Sequence, residues 1–208
     1  TGVAGIHVDC NTGQNAITVI RGAPASFTID DIDINIIKKS KIFLTQLEIP
    51  IEVTLHCLKV AKENGLINIL NPAPACKLDK EFFSLADYFT PNEAEAEFYT
   101  GVKINNESDA KESAKKLLEL GLKKVIITLG EKGLFYSDGK EEIYIKALPF
   151  KKVEDTTGAG DAFNGGLAYA LSKNKSIKEC LNIANQVAGL STLKLGAGNS
   201  MPLLADLK

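Results

Sequence analysis

Between Lys124 and Gly130 the chain reads Val-Ile-Ile-Thr-Leu (125–129), uncharged and β-branched at four of five positions. A strand with one wet face alternates apolar and polar residues. A continuous run belongs to a strand covered on both faces, the habit of a parallel sheet flanked by helices. Such a sheet requires helices between its strands, and the surrounding sequence supplies them. Ile42-Phe43-Leu44 starts a strand that ends in Thr45-Gln46-Leu47-Glu48. Pro50 suits the first turn of a helix with Ile51, Leu55, Leu58 and Ala61 on one face and Gly65 at its end. Further strands are expected at Ile67–Leu70 and near Tyr88-Phe89-Thr90. Ser108 suits the N-cap of a helix with Ala110, Ala114, Leu117 and Leu118 on one face, stopped by Gly121.

Two hairpins interrupt this alternation. Asp138-Gly139 joins Leu134–Ser137 to Glu142–Ile145, and a polar turn around Asn11-Thr12-Gly13 joins Val3–Val8 to Ala16–Ile20. The last third is helical: Phe163, Leu167, Ala170 and Leu171 share a face, and Ser176-x-x-Glu179 is a capping box opening a helix through about Leu193. The expected fold is α/β, a mainly parallel sheet wrapped by helices. Ligands then belong at the carboxyl ends of the strands.

Composition removes several classes of function. With 24 Lys and Arg against 26 Asp and Glu, the formal charge is −2, leaving no basic footprint for nucleic acid and no polybasic membrane patch. No apolar run approaches the ~20 residues of a transmembrane helix, and no signal-peptide pattern opens the chain. Cys10, Cys57, Cys76 and Cys180 are scattered, as reduced thiols of a cytoplasmic protein would be. His7 and His56 stand alone, without zinc-ligand spacing.

Asp155-Thr-Thr-Gly158-Ala159-Gly160-Asp161-Ala-Phe163-Asn-Gly-Gly166 carries the strongest chemical signal. Two glycines and an alanine precede a helix, so backbone N–H groups gather at its positive end, where they can cradle a phosphate. Asp161 is out of place there, since a carboxylate repels such a ligand. It makes sense as a base that takes a proton from an attacking hydroxyl while the amides stabilise a phosphoryl group in flight. Aspartate also caps helices, and that plainer role stays open. A G-x-G-x-x-G dinucleotide fingerprint fails because Phe163 stands where its third glycine belongs, and no Walker A loop occurs anywhere.

Residues 155–166 resemble the second signature of the ribokinase-like (pfkB) carbohydrate kinases nearly position for position. Gln46-Leu47-Glu48, Asn71-Pro72-Ala73-Pro74-Ala75, Pro91-Asn92-Glu93-Ala94-Glu95 and Thr128-Leu129-Gly130-Glu131-Lys132-Gly133 resemble other family segments, in the family's order. The resemblance covers essentially the whole chain. It implies a single ribokinase-like domain over 1–208, with residues 1–22 as strands of a β lid and 23–208 as the nucleotide-binding and catalytic region. It also implies ATP as phosphoryl donor and a small sugar as acceptor, with D-ribose, phosphorylated at O5, suggested first by the Q-L-E and N-P-A-P-A runs. Fructose, 2-keto-3-deoxygluconate or a nucleoside are the alternatives.

By the same resemblance, Asp161 is the base and the amides of Ala159, Gly160 and Asp161, in the Gly158-Ala159-Gly160 turn, form the anion hole. Asn92 and Glu95 match an N-x-x-E motif that organises Mg²⁺ and the phosphates; on their own they read as an N-cap and its capping-box partner. Thr128, Leu129, Gly130, Glu131, Lys132 and Gly133 line the ATP site, and Asn185 lies near the adenine, unless it is simply a polar residue on a helix face. Glu48 contacts sugar hydroxyls, two of which one carboxylate can accept, or is a solvated strand end. Asn71 is expected near the phosphates or metal. A monovalent cation, K⁺, is implied at Asp155, Thr157, Ser191, Lys194, Gly196 and Ser200, held mostly by main-chain oxygens.

Relatives carry an earlier strand with a sugar-binding aspartate and a Gly-Gly-Lys-type first signature, which this sequence lacks, and Thr1 falls where the lid would already be under way. The chain is therefore expected to be a piece of a longer protein, to which activity belongs. The rival expectation is a nucleotide-binding module without turnover. The opening hairpin resembles lid strands that pair subunits, so a homodimer through the lid is expected.

Overall fold

The computed structural model describes residues 1–9, 12–150 and 152–207. Cys10, and Asn11 of the expected turn, lie outside them. Contacts divide the chain into two compact units: residues 22–130 with 134–144, and residues 1–21 with 131–133 and 145–208.

The first of these units is built on a six-stranded sheet in the order β3-β4-β5-β6-β7-β8. Its strands are β3 (Ile42–Thr45), β4 (Ile67–Leu70), β5 (Tyr88–Phe89), β6 (Val125–Thr128), β7 (Leu134–Ser137) and β8 (Glu142–Ile145). Strands β3 to β6 are parallel, with Ile42 opposite Ile67, Leu70 opposite Phe89, and Phe89 opposite Val125. β7 turns back antiparallel to β6. Val125, Ile126 and Ile127 have no exposed surface, as their unbroken apolar run requires. Leu58, Leu70, Phe82, Phe89, Leu117 and Ile127 belong to the core beside the sheet.

α1 (Ile34–Lys38) precedes β3, and between the strands run α2 (Ile51–Glu63), α3 (Lys80–Leu85), α4 (Glu93–Thr100) and α5 (Glu107–Glu119). α2 begins one residue later than Pro50, which takes the N-cap, and Gly65 follows its end at φ 75°. α5 departs from expectation. Its N-cap is Asn106, whose side chain accepts from the Asp109 amide, and Ser108 lies inside the helix. Both residue types cap well; the hydrogen bond selects Asn106. The short helices α1 and α3 carried no recognisable sequence signal.

The other unit contains β1 (Val3–Val8), β2 (Asn15–Ile20), α6 (Ala159–Ser172) and α7 (Ile177–Ser191). β1 and β2 form the expected antiparallel hairpin, with Val3 opposite Ile20, and Val3, Ile6, Ile17, Val19 and Ile20 are exposed. α6 and α7 lie close. A Cβ added to Gly166 would stand 3.0 Å from the Ala184 Cα and 3.1 Å from Val187. The Ser176–Glu179 capping box opens α7 as expected, but the helix stops at Ser191, with Thr192 as C-cap. Among the described residues no helix is long and apolar enough to cross a membrane.

Candidate active site

The N-cap of α6 is Gly158, in the left-handed conformation at φ 77° and ψ 4°, and no side chain caps the helix there. The glycine is needed twice over. Its φ suits few other residues, and a Cβ would sit 3.2 Å from both the Ala197 Cβ and the Met201 Cε. The first amides of a helix lack intrahelical partners. Here the Ala159 amide donates to the Thr156 carbonyl at 3.2 Å, and the Ala162 amide donates to the Gly158 carbonyl at 2.8 Å. The amides of Gly160 and Asp161 lie between these two at the positive end of the helix. A Cβ on Gly160 would meet nothing within 4 Å. Asp161 is exposed in the first turn, three residues past the N-cap.

Directly upstream, Asp155 is buried. Its Oδ1 accepts from the Thr157 amide and its Oδ2 from the Gly196 amide, both at 2.8 Å. Burial pushes this carboxyl up, but Thr157 and the Gly196 amide together hold it below the usual carboxylate range. The Thr157 Oγ1 is buried without a hydrogen-bond partner. Ser200 and Ser191 are buried too, their hydroxyls donating to the Ala197 and Ala188 carbonyls at 2.7 Å. The Glu154 amide ties the segment to the Thr192 carbonyl at 2.9 Å. This neighbourhood of one carboxylate, hydroxyls and carbonyls fits a hard monovalent cation, and the orphaned Thr157 hydroxyl is an oxygen such an ion would satisfy. Lys194 is exposed, and only its carbonyl suits that role.

In the sheet-bearing unit, the expected residues sit at the carboxyl edge. The Asn71 amide donates to the Thr45 carbonyl at 3.0 Å, and the buried Asn71 side chain donates to the Thr90 carbonyl at 2.9 Å. The Gln46 side chain reaches the Asn71 Oδ1 at 3.5 Å. Asn71 thus ties together the ends of β3, β4 and β5, and Glu48 stands exposed just after β3. Asn92 and Glu95 form a complete capping box on α4: the Asn92 Oδ1 accepts from the Glu95 amide and the Glu95 Oε2 from the Asn92 amide, each at 2.8 Å. Burial lifts the Glu95 carboxyl to about 6, the Asn92 amide opposing the rise. Among the described residues, no three or more His, Cys, Asp or Glu side chains gather as a metal cage. A magnesium ion held chiefly by nucleotide phosphates needs only such a lone carboxylate and water.

The segment Thr128–Gly133 leaves β6 at the same edge. The Thr128 amide donates to the Pro91 carbonyl at 2.9 Å, and Leu129 is buried. Gly130, Glu131 and Lys132 are exposed in a short 3-10 turn. Gly133, at φ 106°, is pressed against the backbone of residues 145–147, where a Cβ would collide with the Ile145 carbonyl. Asn185 is bound nearby, its Nδ2 donating to the Lys146 carbonyl at 2.9 Å.

Three residues of the glycine-turn region were not singled out by sequence. The Thr156 amide and hydroxyl both donate to the Gly13 carbonyl at 3.0 Å, and the Asn15 side chain donates to the Thr156 hydroxyl at 3.0 Å. Gly13 is buried, at φ 71°, with room for no Cβ beside Val153. The only sequence hint was a glycine and an asparagine two apart at the start of a strand.

The chain matches the pfkB family of carbohydrate kinases over residues 1–204, and it belongs to that family. It is 37% identical over 211 residues to the ribokinase of Staphylococcus aureus (strain COL), covering 100% of this chain and 68% of that one. It is 41% identical over 206 residues to the bifunctional ribokinase/ribose-5-phosphate isomerase A of Fructilactobacillus sanfranciscensis, covering 97% of this chain and 38% of that one. Among solved structures, Arabidopsis thaliana ribokinase complexed with ribose and ATP is similar at 32% identity with a TM-score of 0.88, over 97% of this chain and 66% of that one. The chain therefore spans about two thirds of the length of the first and third of these relatives, and well under half of the second. Its mostly parallel sheet, flanking helices and two-stranded hairpin are the ribokinase-like fold.

Proposed function

We propose that this chain supplies the phosphoryl-transfer machinery of an ATP-dependent sugar kinase acting on D-ribose at O5. The observation that carries the reading is the start of α6: a left-handed glycine instead of a side-chain cap, an open approach at Gly160, and a carboxylate in the first turn. Asp161 takes the proton of the sugar hydroxyl as that oxygen bonds to the γ-phosphorus of ATP, and the bond to the ADP oxygen breaks. The amides of Ala159, Gly160 and Asp161 hold the migrating group. In this reading Ala159 shares its amide between the Thr156 carbonyl, 3.2 Å away, and the migrating group.

In this reading Thr128–Gly133 and Asn185 bind the nucleotide, Glu48 binds sugar hydroxyls, and Asn71 steadies the strand ends. Bound magnesium would neutralise phosphate charge near Asn92 and Glu95, and potassium would brace the turn from Asp155, Thr157, Ser191, Lys194, Gly196 and Ser200. Residues 1–22 act as a lid, and two lids pair in a cytoplasmic homodimer. The ribokinase names of the relatives, and the ribose and ATP of the Arabidopsis complex, support this choice of substrates.

The test is ADP release by the whole gene product with ribose, fructose, adenosine and 2-keto-3-deoxygluconate, with and without potassium. Ribose should give the largest kcat/KM. Preference for another acceptor would replace the substrate, and ATP binding without turnover on any of them would favour a nucleotide-binding module.

A further inference from the structure

The hydrogen bonds around Thr156 form a continuous chain from the hairpin to the glycine turn. Thr156 directs its amide and its hydroxyl to one acceptor, the Gly13 carbonyl, and that hydroxyl accepts from Asn15. Its own carbonyl accepts the amide of Ala159, the first residue of α6. Each polar group of Thr156 is thus committed either to the hairpin or to the turn. The hairpin side is equally constrained. The Gly13 amide donates to the Asp9 carbonyl at 2.8 Å, the Asp9 amide donates to the Gln14 carbonyl at 2.8 Å, and Gly13 is wedged against Val153 and Glu154. Asn15 opens β2, so its side chain moves with that strand.

The partners are 141 and 143 residues apart in sequence, and the rest of the hairpin is largely exposed. The contact is therefore a localised clasp between two stretches of backbone far apart in sequence. We infer that Thr156 and Asn15 are positioning residues: they fix the orientation of the glycine turn to the position of the hairpin, so that its amides are aimed at a terminal phosphate only while the clasp is closed. This rests on the phosphate role proposed above for the turn. Linkage makes the coupling reciprocal, so a phosphate held at the turn steadies the hairpin in return.

The experiment compares ATP with ADP, because the terminal phosphate is what the turn would hold. Affinities are measured by calorimetry, and hydrogen exchange is followed at residues 12–16, for the wild-type protein and for Thr156→Val, Thr156→Ser, Asn15→Ala and Gly160→Val. Loss of a hydrogen bond at an aligned site is worth about tenfold in affinity. Thr156→Val should weaken ATP about tenfold while leaving ADP within about twofold, and it should remove the ATP-dependent slowing of exchange in the hairpin. Thr156→Ser should restore both. Asn15→Ala, at a half-exposed position, should lose part of each. If Thr156→Val and Asn15→Ala lower the melting temperature but keep the preference for ATP, the bonds are only structural and the inference is overturned. If Gly160→Val spoils ATP binding while both clasp variants behave as wild type, the clasp alone is wrong. If Gly160→Val changes nothing, the phosphate role of the turn fails, and the clasp falls with it.

Discussion

Two helices of this protein begin in opposite ways. α4 starts with a reciprocal capping box in which Asn92 and Glu95 each satisfy the other's amide. α6 starts on a glycine, with no side-chain cap. Capping typically contributes about 1 kcal/mol, and the chain uses it freely, at Asp33, Asn92, Asn106 and Ser176. α2 and α3 also start without a side-chain cap, on Pro50 and Asp79, so what sets α6 apart among the α-helices is the left-handed glycine at its N-cap. On the proposed reading, the open glycine start of α6 keeps its positive end for a phosphate brought from outside, where the α4 end is completed by its own side chains.

That contrast can be broken in four places. The largest effect belongs to Asp161→Asn, which should cut turnover roughly 10²–10⁴-fold with ATP affinity nearly kept; steady-state kinetics beside calorimetry would show it, and unaltered kcat would end the base assignment. Next, Gly160→Val should lose ATP binding by more than about tenfold with little change in Tm, since a Cβ there meets nothing within 4 Å. A large fall in Tm with ATP affinity retained would mean that the turn faces protein and not ligand.

The third test concerns the capped helix. Glu95 has its carboxyl raised from 4.5 to about 6, so the folded state holds the proton more tightly than the unfolded chain does. Its contribution to stability is thus fully present below about pH 4.5 and is lost as pH rises through about 6, by up to about 2 kcal/mol. Glu95→Gln keeps the acceptor and removes the titration. In urea melts the variant should gain on the wild type across that window, by up to about 2 kcal/mol, and match it near pH 4; parallel curves would show that the carboxylate is not desolvated. The smallest effect is Ser176→Ala, which should cost about 1 kcal/mol in the same melts and leave ATP affinity unchanged.

What could be read in advance followed the range of the forces involved. Capping boxes, the buried run of β6 and the β7–β8 turn are set by residues within a few positions of one another, and Ile67–Leu70 and Leu134–Ser137 form strands where their patterns place them. α1 and α3, at five and six residues, are too short to show a period. At Asn106 and Ser108 two good caps competed, and no local rule separates them. The conformation of the glycine turn was legible because it is set by consecutive residues. The Asn15–Thr156 bond was not, because it joins positions 141 apart, where no periodicity can point. The burial of Glu95 was hidden for a similar reason: a glutamate's depth depends on what packs over it.

Gly166 has a consequence for aim. It lies six residues beyond Gly160, about 9 Å along the helix axis at 1.5 Å per residue, and there α6 rests almost backbone to backbone on α7. That contact fixes how α6 lies on α7, and with it the direction in which the glycine turn points. A methyl group added at Gly166 would press α6 away from α7 and so, on the proposed reading, redirect the turn without touching any residue proposed to meet phosphate.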